Sequence, residues 1–366
     1  MIDKVKLRKR VKKIPKRVLE KNFKQEEKRE ENFYYSREIG SGRSKVKITY
    51  STKTDNLEIE GRLVNLHKIH NRVYNFDDYI IPRLEEQSGE IYEIKGIEDI
   101  LKETNKALNE LLEVDYIDIR QFEVLNIEIC FNLFLNDCNK VEAYLDIFNR
   151  IVEAKKDKRY QAYSNHRNES LWIKTKADYN NNTKTNRIIN FYNKEKQLER
   201  REKKGLLKRT PEERSLSKGL LRLEVQLYYQ ALLNLFGVTS FKGANKEKRF
   251  FKNFLDINRC YYVIERAYKD FISENIEAGF YSYELVKRSI PKDTIQNKNL
   301  LKYILNKTRN KLPSRQTQKK YNSLLLDKEI NNEFIPRKYN LDYLESPIIL
   351  LQKKIAYILM EQKSTR

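Results

Sequence analysis

Two alternating stretches, each interrupted by an acid, constrain this chain more than any other feature. In residues 124–133, Ile127, Ile129 and Phe131 share one face, while Asn126, Glu128, Cys130 and Asn132 share the other. In residues 220–227, Leu221, Leu223, Val225 and Leu227 oppose Arg222, Glu224 and Gln226. A sustained period of two marks strands with one face on a core. A carboxylate in so apolar a strand is expensive to bury unless something pairs with it. Glu128 and Glu224 are therefore the most informative acids in the sequence.

The remaining pattern predicts an α+β protein. Ile2, Val5 and Leu7 suggest a short opening strand before a basic run. Val46, Ile48 and Tyr50 alternate, a Thr54-Asp55-Asn56 turn follows, and Leu57 and Ile59 resume the period, which predicts a hairpin with Glu58 and Glu60 on its polar side. Helical spacing predicts helices over 97–112 and 141–154. Residues 115–120 read as a strand. Strands at 171–173 and 188–192 flank an Asn-rich turn and form a second hairpin, followed by a strongly charged helix over 194–209. Beyond Gly237, residues 246–269 and 300–311 read as basic helices with interleaved aromatics, and 314–325 with 328–339 as a helix-turn-helix-like unit.

Composition narrows the function classes. The 366 residues carry 74 Lys and Arg against 52 Asp and Glu, a formal charge of +22. Such an excess favours a polyanionic partner, nucleic acid first. The most apolar stretch, 347–360, is broken by Lys353 and Lys354 and falls short of the roughly 20 residues that span a bilayer. No membrane partner is expected. No apolar leader follows the basic N-terminus. Cys130, Cys138 and Cys260 are too scattered for a disulfide framework or a zinc knuckle, so reduced thiols inside a cell are expected. No Walker-type or dinucleotide-binding glycine motif is present.

The candidate chemistry centres on residues 186–199. Ile188, Ile189, Phe191 and Tyr192 read as a strand, Asn193 as an N-cap, and the residues from Lys194 onward as helix. Tyr192 then stands at an element junction. A phenol needs cations or a metal to act as a nucleophile at neutral pH, and Arg187, Lys194 and Lys196 lie close in sequence. His67 and His70 are two of only three histidines, and either a metal-ligand role or ordinary polar packing accounts for His70. For Glu58, Glu128 and Glu224 the alternative to metal ligation is a salt bridge or a cap; for Arg222 and Lys194 the alternative to a phosphate contact is an ion pair. Tyr228 and Tyr229 are further phenols, which adjacent positions normally point in different directions.

With these elements placed, the chain resembles the filamentous-phage gene II and gene X replication initiators and their plasmid relatives. The resemblance rests on Met1-Ile2-Asp3, on Leu57-Glu58-Ile59-Glu60 followed by His70-Asn71, and on Ile127-Glu128. It continues through Trp172, Asn190-Phe191-Tyr192-Asn193-Lys194, and Leu221-Arg222-Leu223-Glu224-Val225 near Phe236-Gly237-Val238.

This resemblance implies an antiparallel sheet related to the HUH endonucleases, flanked by helices, in a nicking domain over 1–239. Residues 240–366 would then be a mainly helical, basic DNA-binding or accessory region. It also implies a site-specific DNA nickase and rejoining enzyme of rolling-circle replication, working in a bacterial cytoplasm. Origin DNA would be its partner, double-stranded or supercoiled and single-stranded at the nick, with host helicase and polymerase downstream. Tyr192 takes the nucleophile's position, with Lys194 beside it, leaving a 5′-phosphotyrosine and a free 3′-OH. A Mg²⁺ or Mn²⁺ ion would be held by Glu58, His70, Glu128 and Glu224, and DNA contacted by Arg187, Lys196 and Arg222. One departure stands out: the His-hydrophobe-His strand motif of typical HUH enzymes is absent. The competing reading is a non-catalytic origin-binding protein in which charge alone carries the function.

Overall fold

The computed structural model describes residues 2–29, 32–39, 45–63, 89–155, 160–163, 169–175, 186–206, 208–273, 275–308, 313–328, 330 and 333–364. In chain order the elements begin with β1 (Ile2–Arg10), α1 (Lys16–Asn22), β2 (Lys24–Arg29), β3 (Asn32–Ile39), β4 (Val46–Ser51), β5 (Asn56–Gly61) and α2 (Gly89–Leu112). They continue with β6 (Glu123–Phe134), α3 (Cys138–Lys155), β7 (Tyr160–Tyr163), β8 (Ser170–Thr175), β9 (Arg187–Asn193), α4 (Lys194–Lys203), α5 (Pro211–Leu216), β10 (Leu220–Leu227) and α6 (Tyr229–Phe236). The last are α7 (Ile257–Phe271), β11 (Phe280–Ser282), α8 (Tyr283–Ser289), α9 (Ile295–Thr308), α10 (Arg315–Leu326), β12 (Phe334–Ile335), β13 (Tyr343–Leu344) and α11 (Pro347–Ser364).

Ten strands form one sheet in the order β2-β3-β4-β5-β1-β6-β10-β9-β8-β7, and every pairing in it is antiparallel. The opening strand is thus central, between β5 and β6. Both expected hairpins form: β4 pairs with β5, and β8 with β9. The alternation in β6 and β10 gives the sheet one apolar face, and α3, α7 and α11 pack against these central strands. Phe148 of α3 meets Phe191 of β9 and Tyr268 of α7 edge to face, at centroid distances of 5.8 and 5.9 Å. Fully burying a side chain of this size contributes roughly 1.5–3 kcal/mol.

Four expectations are corrected. Residues 115–120 do not form a strand, because neighbouring side chains satisfy their backbone donors. Asn109 and Asn105 of α2 accept from Ile117 and Ile119, and Asp118 accepts from Arg120. The charged helix α4 stops at Lys203, shortly before Gly205 at φ +66. Residues 243–254 make two 3₁₀ turns, stapled to the sheet by Phe251 N–H donating to Phe122 O, and α7 starts only after its N-cap Asp256. In the helix-turn-helix-like unit, α10 forms, but among the described residues of 328–339 no α-helix follows, only a 3₁₀ turn at Arg337–Tyr339. Ile335 is extended and pairs in parallel with β11, as suits a residue that precedes proline.

Residues beyond 240 serve two cores. Helices α7 and α11 belong to the core of the large sheet, whereas Val286, Leu300, Ile304, Leu325 and Phe334 build a smaller one. Among the described residues no helix is long and apolar enough to cross a membrane.

The turn entering β10 depends on glycine. Gly219 has φ +70, its carbonyl accepts from Leu135 N–H, and a Cβ there would lie 2.7 Å from Asp137 N. Gly219→Ala is expected to destabilise the protein by about 1–3 kcal/mol. The change should appear as a lower urea midpoint with an unchanged slope.

Candidate metal centre

The polar face of the central strands is assembled by register. Glu224 of β10 stands opposite Cys130 of β6 and Asn190 of β9; Arg222 stands opposite Asn132 and Tyr192; Gln226 stands opposite Glu128. Antiparallel pairing keeps opposed residues on one face, so all of these side chains project together. Asp3 joins them from β1, whose register with β6 shifts between Ile2 and Lys4. The result is a group of three acids, Asp3, Glu128 and Glu224, with one carboxylate oxygen each lying within 4.8 Å of the others.

Two guanidiniums hold this group. Arg222 is fully buried, with Nε 2.5 Å from Glu224 Oε1 and Nη2 3.1 Å from Asp3 Oδ2. Arg62 Nη2 lies 2.7 Å from the same Asp3 oxygen. Asn190 donates to Glu224 Oε2 at 3.3 Å, and the Tyr192 hydroxyl donates to Glu224 Oε1 at 2.6 Å. Lys194 opens α4, where Asn193 caps the helix by accepting from Lys196 N–H. Its ammonium lies 5.7 Å from the Tyr192 ring centroid and donates to Gln197.

The electrostatics follow from burial and crowding. Burial alone would raise the Asp3 carboxyl, but Arg222 and Arg62 outweigh it and the net displacement is downward. Glu128 has no such excess of cations: burial, then the charges of Glu224 and Asp3, push it up to about 9. Burial and the Glu224 charge also hold the Tyr192 phenol well above its ordinary value. Burial and the neighbouring Arg222 bring Lys194 down to about 7. Burial, then Glu128 and Glu60, raise the Tyr228 phenol.

Three converging carboxylates are hard oxygen donors, the chemistry that suits Mg²⁺ or Mn²⁺. Burial, reinforced by the charges of Glu224 and Asp3, makes Glu128 hold a proton at neutral pH, and a dication among the three would offset both. The donor set therefore fits such an ion.

The site residues read from sequence are distributed unevenly. Glu128, Glu224, Tyr192, Lys194 and Arg222 come together. Glu58 does not: it accepts from Arg8 Nε at 2.6 Å and lies 3.7 Å from Lys6, further along the sheet. His70 lies outside the described residues. Arg222, expected to contact DNA, is buried between Asp3 and Glu224. Arg187 pairs with Asp270 at 2.7 Å, and Lys196 with Glu199 at 3.8 Å. Asp3 was missed as a member of the acid group. By sequence parity Asp3 falls with the apolar Val5 and Leu7, and only the register shift between Ile2 and Lys4 brings it to the polar face.

Comparison of the chain with protein-family models, curated proteins and solved structures returned no match.

The crowding of Glu128 has a measurable sign. Between its unfolded value of 4.5 and about 9, the folded metal-free protein holds a proton that the unfolded chain releases, so stability falls as pH rises. Lys194 opposes this only above about pH 7, where it is neutral when folded but charged when unfolded. In EDTA, stability is therefore expected to fall by on the order of 1–3 kcal/mol between pH 5 and 7. Glu128→Gln, which mimics the protonated acid, should flatten that dependence in thermal melts. Mn²⁺ should raise the melting temperature more at pH 7 than at pH 5, because binding displaces the proton.

Proposed function

We propose that this chain is a rolling-circle replication initiator that nicks and rejoins DNA through Tyr192, on a sheet related to the HUH endonucleases. The observation that carries this reading is the 2.6 Å hydrogen bond from Tyr192 to Glu224, itself one of three acids within 4.8 Å of one another. A nucleophile on hydrogen-bonding terms with a base, beside a metal-binding acid set, is the arrangement that phosphoryl transfer requires. The formal charge of +22 supports a DNA substrate.

In this reading, Glu224 accepts the phenol proton as Tyr192 Oη forms its bond to phosphorus. The bond from phosphorus to O3′ breaks, and O3′ takes a proton from water to become the primer hydroxyl. The strand remains on the protein as a 5′-phosphotyrosine, which the 3′-OH reverses on rejoining. Lys194 places positive charge beside the developing phenolate. Asp3, Glu128 and Glu224 would hold Mg²⁺ or Mn²⁺, which supplies polarisation of a non-bridging phosphate oxygen. Arg222 keeps Asp3 and Glu224 in position.

One observation favours a second reading, non-catalytic origin binding: Tyr192 is only 4% exposed. The acid group would then be structural, and charge alone would hold the DNA. Denaturing gels separate the two. Wild-type protein with Mn²⁺ and a labelled pool of single-stranded oligonucleotides tiling the DNA around its own coding sequence is expected to give a covalent adduct. EDTA should abolish the adduct, and Lys194→Met should slow its formation by roughly 10²-fold. Binding without any adduct would establish the second reading.

A further inference from the structure

Charge separates α9 and α10 from the rest of this basic chain. Residues 295–326 hold eight Lys and Arg and no Asp or Glu. On the large sheet the cations are met: Arg8, Lys45 and Lys47 pair with Glu58, Glu38 and Glu26. Lys298 and Lys302 of α9 and Arg315, Lys319 and Lys320 of α10 are exposed, and none of the five has an acid partner among the described residues.

Packing fixes which side of α10 faces outward. Tyr321 stacks on Tyr303 of α9 with ring centroids 5.0 Å apart, the Tyr303 hydroxyl donates to Asn322 Oδ1 at 2.8 Å, and Leu325 joins Leu300 and Ile304 in the smaller core. Ser314 caps the helix by accepting from Thr317 N–H at 3.4 Å. Residues 321 and 325 therefore mark the inner face, and Arg315, Gln316, Lys319, Lys320 and Ser323 share the opposite one, where all five are exposed. An α-helix with its side chains is about 10–12 Å across and a DNA major groove about 12 Å wide. Arginine matches guanine O6 and N7, and glutamine matches adenine N6 and N7. In helix pairs that read DNA, the second helix enters the groove by its first turns while the first crosses the phosphate backbone. Arg315, Gln316 and Lys319 lie in the first two turns of α10, and Lys298 and Lys302 lie on α9.

We infer that α9 and α10 form a second DNA site that reads duplex sequence, with α10 in the major groove, Arg315 and Gln316 on base edges, and Lys298 and Lys302 on flanking phosphates. The site is built on the smaller core, whereas the acid group stands on the large sheet. It rests on the DNA partner proposed above and not on the nicking step. An unbalanced cationic face gives affinity for any duplex, and the arginine and glutamine at its leading end add the preference for one sequence.

The full-length protein in EDTA is used to select from a random-sequence duplex DNA library, and its affinities for the selected duplex and a scrambled one are measured by fluorescence anisotropy. The wild type is expected to enrich one sequence. Arg315→Lys combined with Gln316→Ala keeps the charge but loses both base-edge contacts, so it should weaken the selected duplex by at least roughly 10-fold and leave the scrambled duplex unchanged. Lys298→Gln combined with Lys302→Gln should weaken both duplexes alike and flatten the salt dependence. All these residues are exposed, and circular dichroism verifies the fold of each variant. The adduct formed with single-stranded DNA and Mn²⁺ should keep its wild-type rate throughout. No enriched sequence, an undiminished preference in the Arg315 and Gln316 variant, or tighter binding to duplex RNA than to the selected DNA overturns the inference. A preference lost in that variant, with no adduct even in the wild type, leaves the inference standing and overturns the nicking activity.

Discussion

A buried guanidinium organises the centre of this protein. Arg222 has no route to water, so its charge must be met inside the fold, and Asp3 and Glu224 meet it. Removing one member of such a set leaves an uncompensated buried charge and typically costs 3–5 kcal/mol. The ion pairs also decide position. Asp3 is drawn to the polar face from β1, Glu224 is turned so that one oxygen receives Tyr192, and Asn132 of β6 lies 3.5 Å from Arg222 Nη1. Four adjacent strands are thereby registered by one side chain.

The charge count explains why the centre is poised instead of merely satisfied. Asp3 has two guanidiniums on one oxygen and stays ionised. Glu128 adds a third acid with no cation of its own and retains a proton into the alkaline range. A group kept neutral by burial and by its charged neighbours responds to any cation brought among them. Burial, with the Glu224 charge, likewise holds the Tyr192 phenol up, so positive charge near Glu224 acts on both groups together.

The two faces of the sheet divide the labour. Apolar side chains of β6, β9 and β10 anchor α3, α7 and α11. The opposite face is free to carry polar chemistry. Rigid strands hold constellations more tightly than loops do, and the row Arg222, Glu224 and Gln226 shows how a strand places polar side chains on one face at every second residue.

Much of this was legible in the sequence because it is local. Alternation assigned the faces of β6 and β10, and therefore placed Glu128, Glu224 and Arg222 on one polar side; helical spacing found α3; and the Asn193 cap located the junction beside Tyr192. Residues 115–120 were misread because their pattern matches a strand, while the deciding hydrogen bonds come from Asn105 and Asn109 on a neighbouring helix. Strand order, and the register shift that turns Asp3 toward Arg222, depend on pairing between segments more than a hundred residues apart. No spacing rule encodes that choice. The sequence alone determined which residues share a face; only the tertiary structure decided that Asp3 completes the acid group and Glu58 does not, because each carboxylate goes to the guanidinium that strand pairing brings beside it.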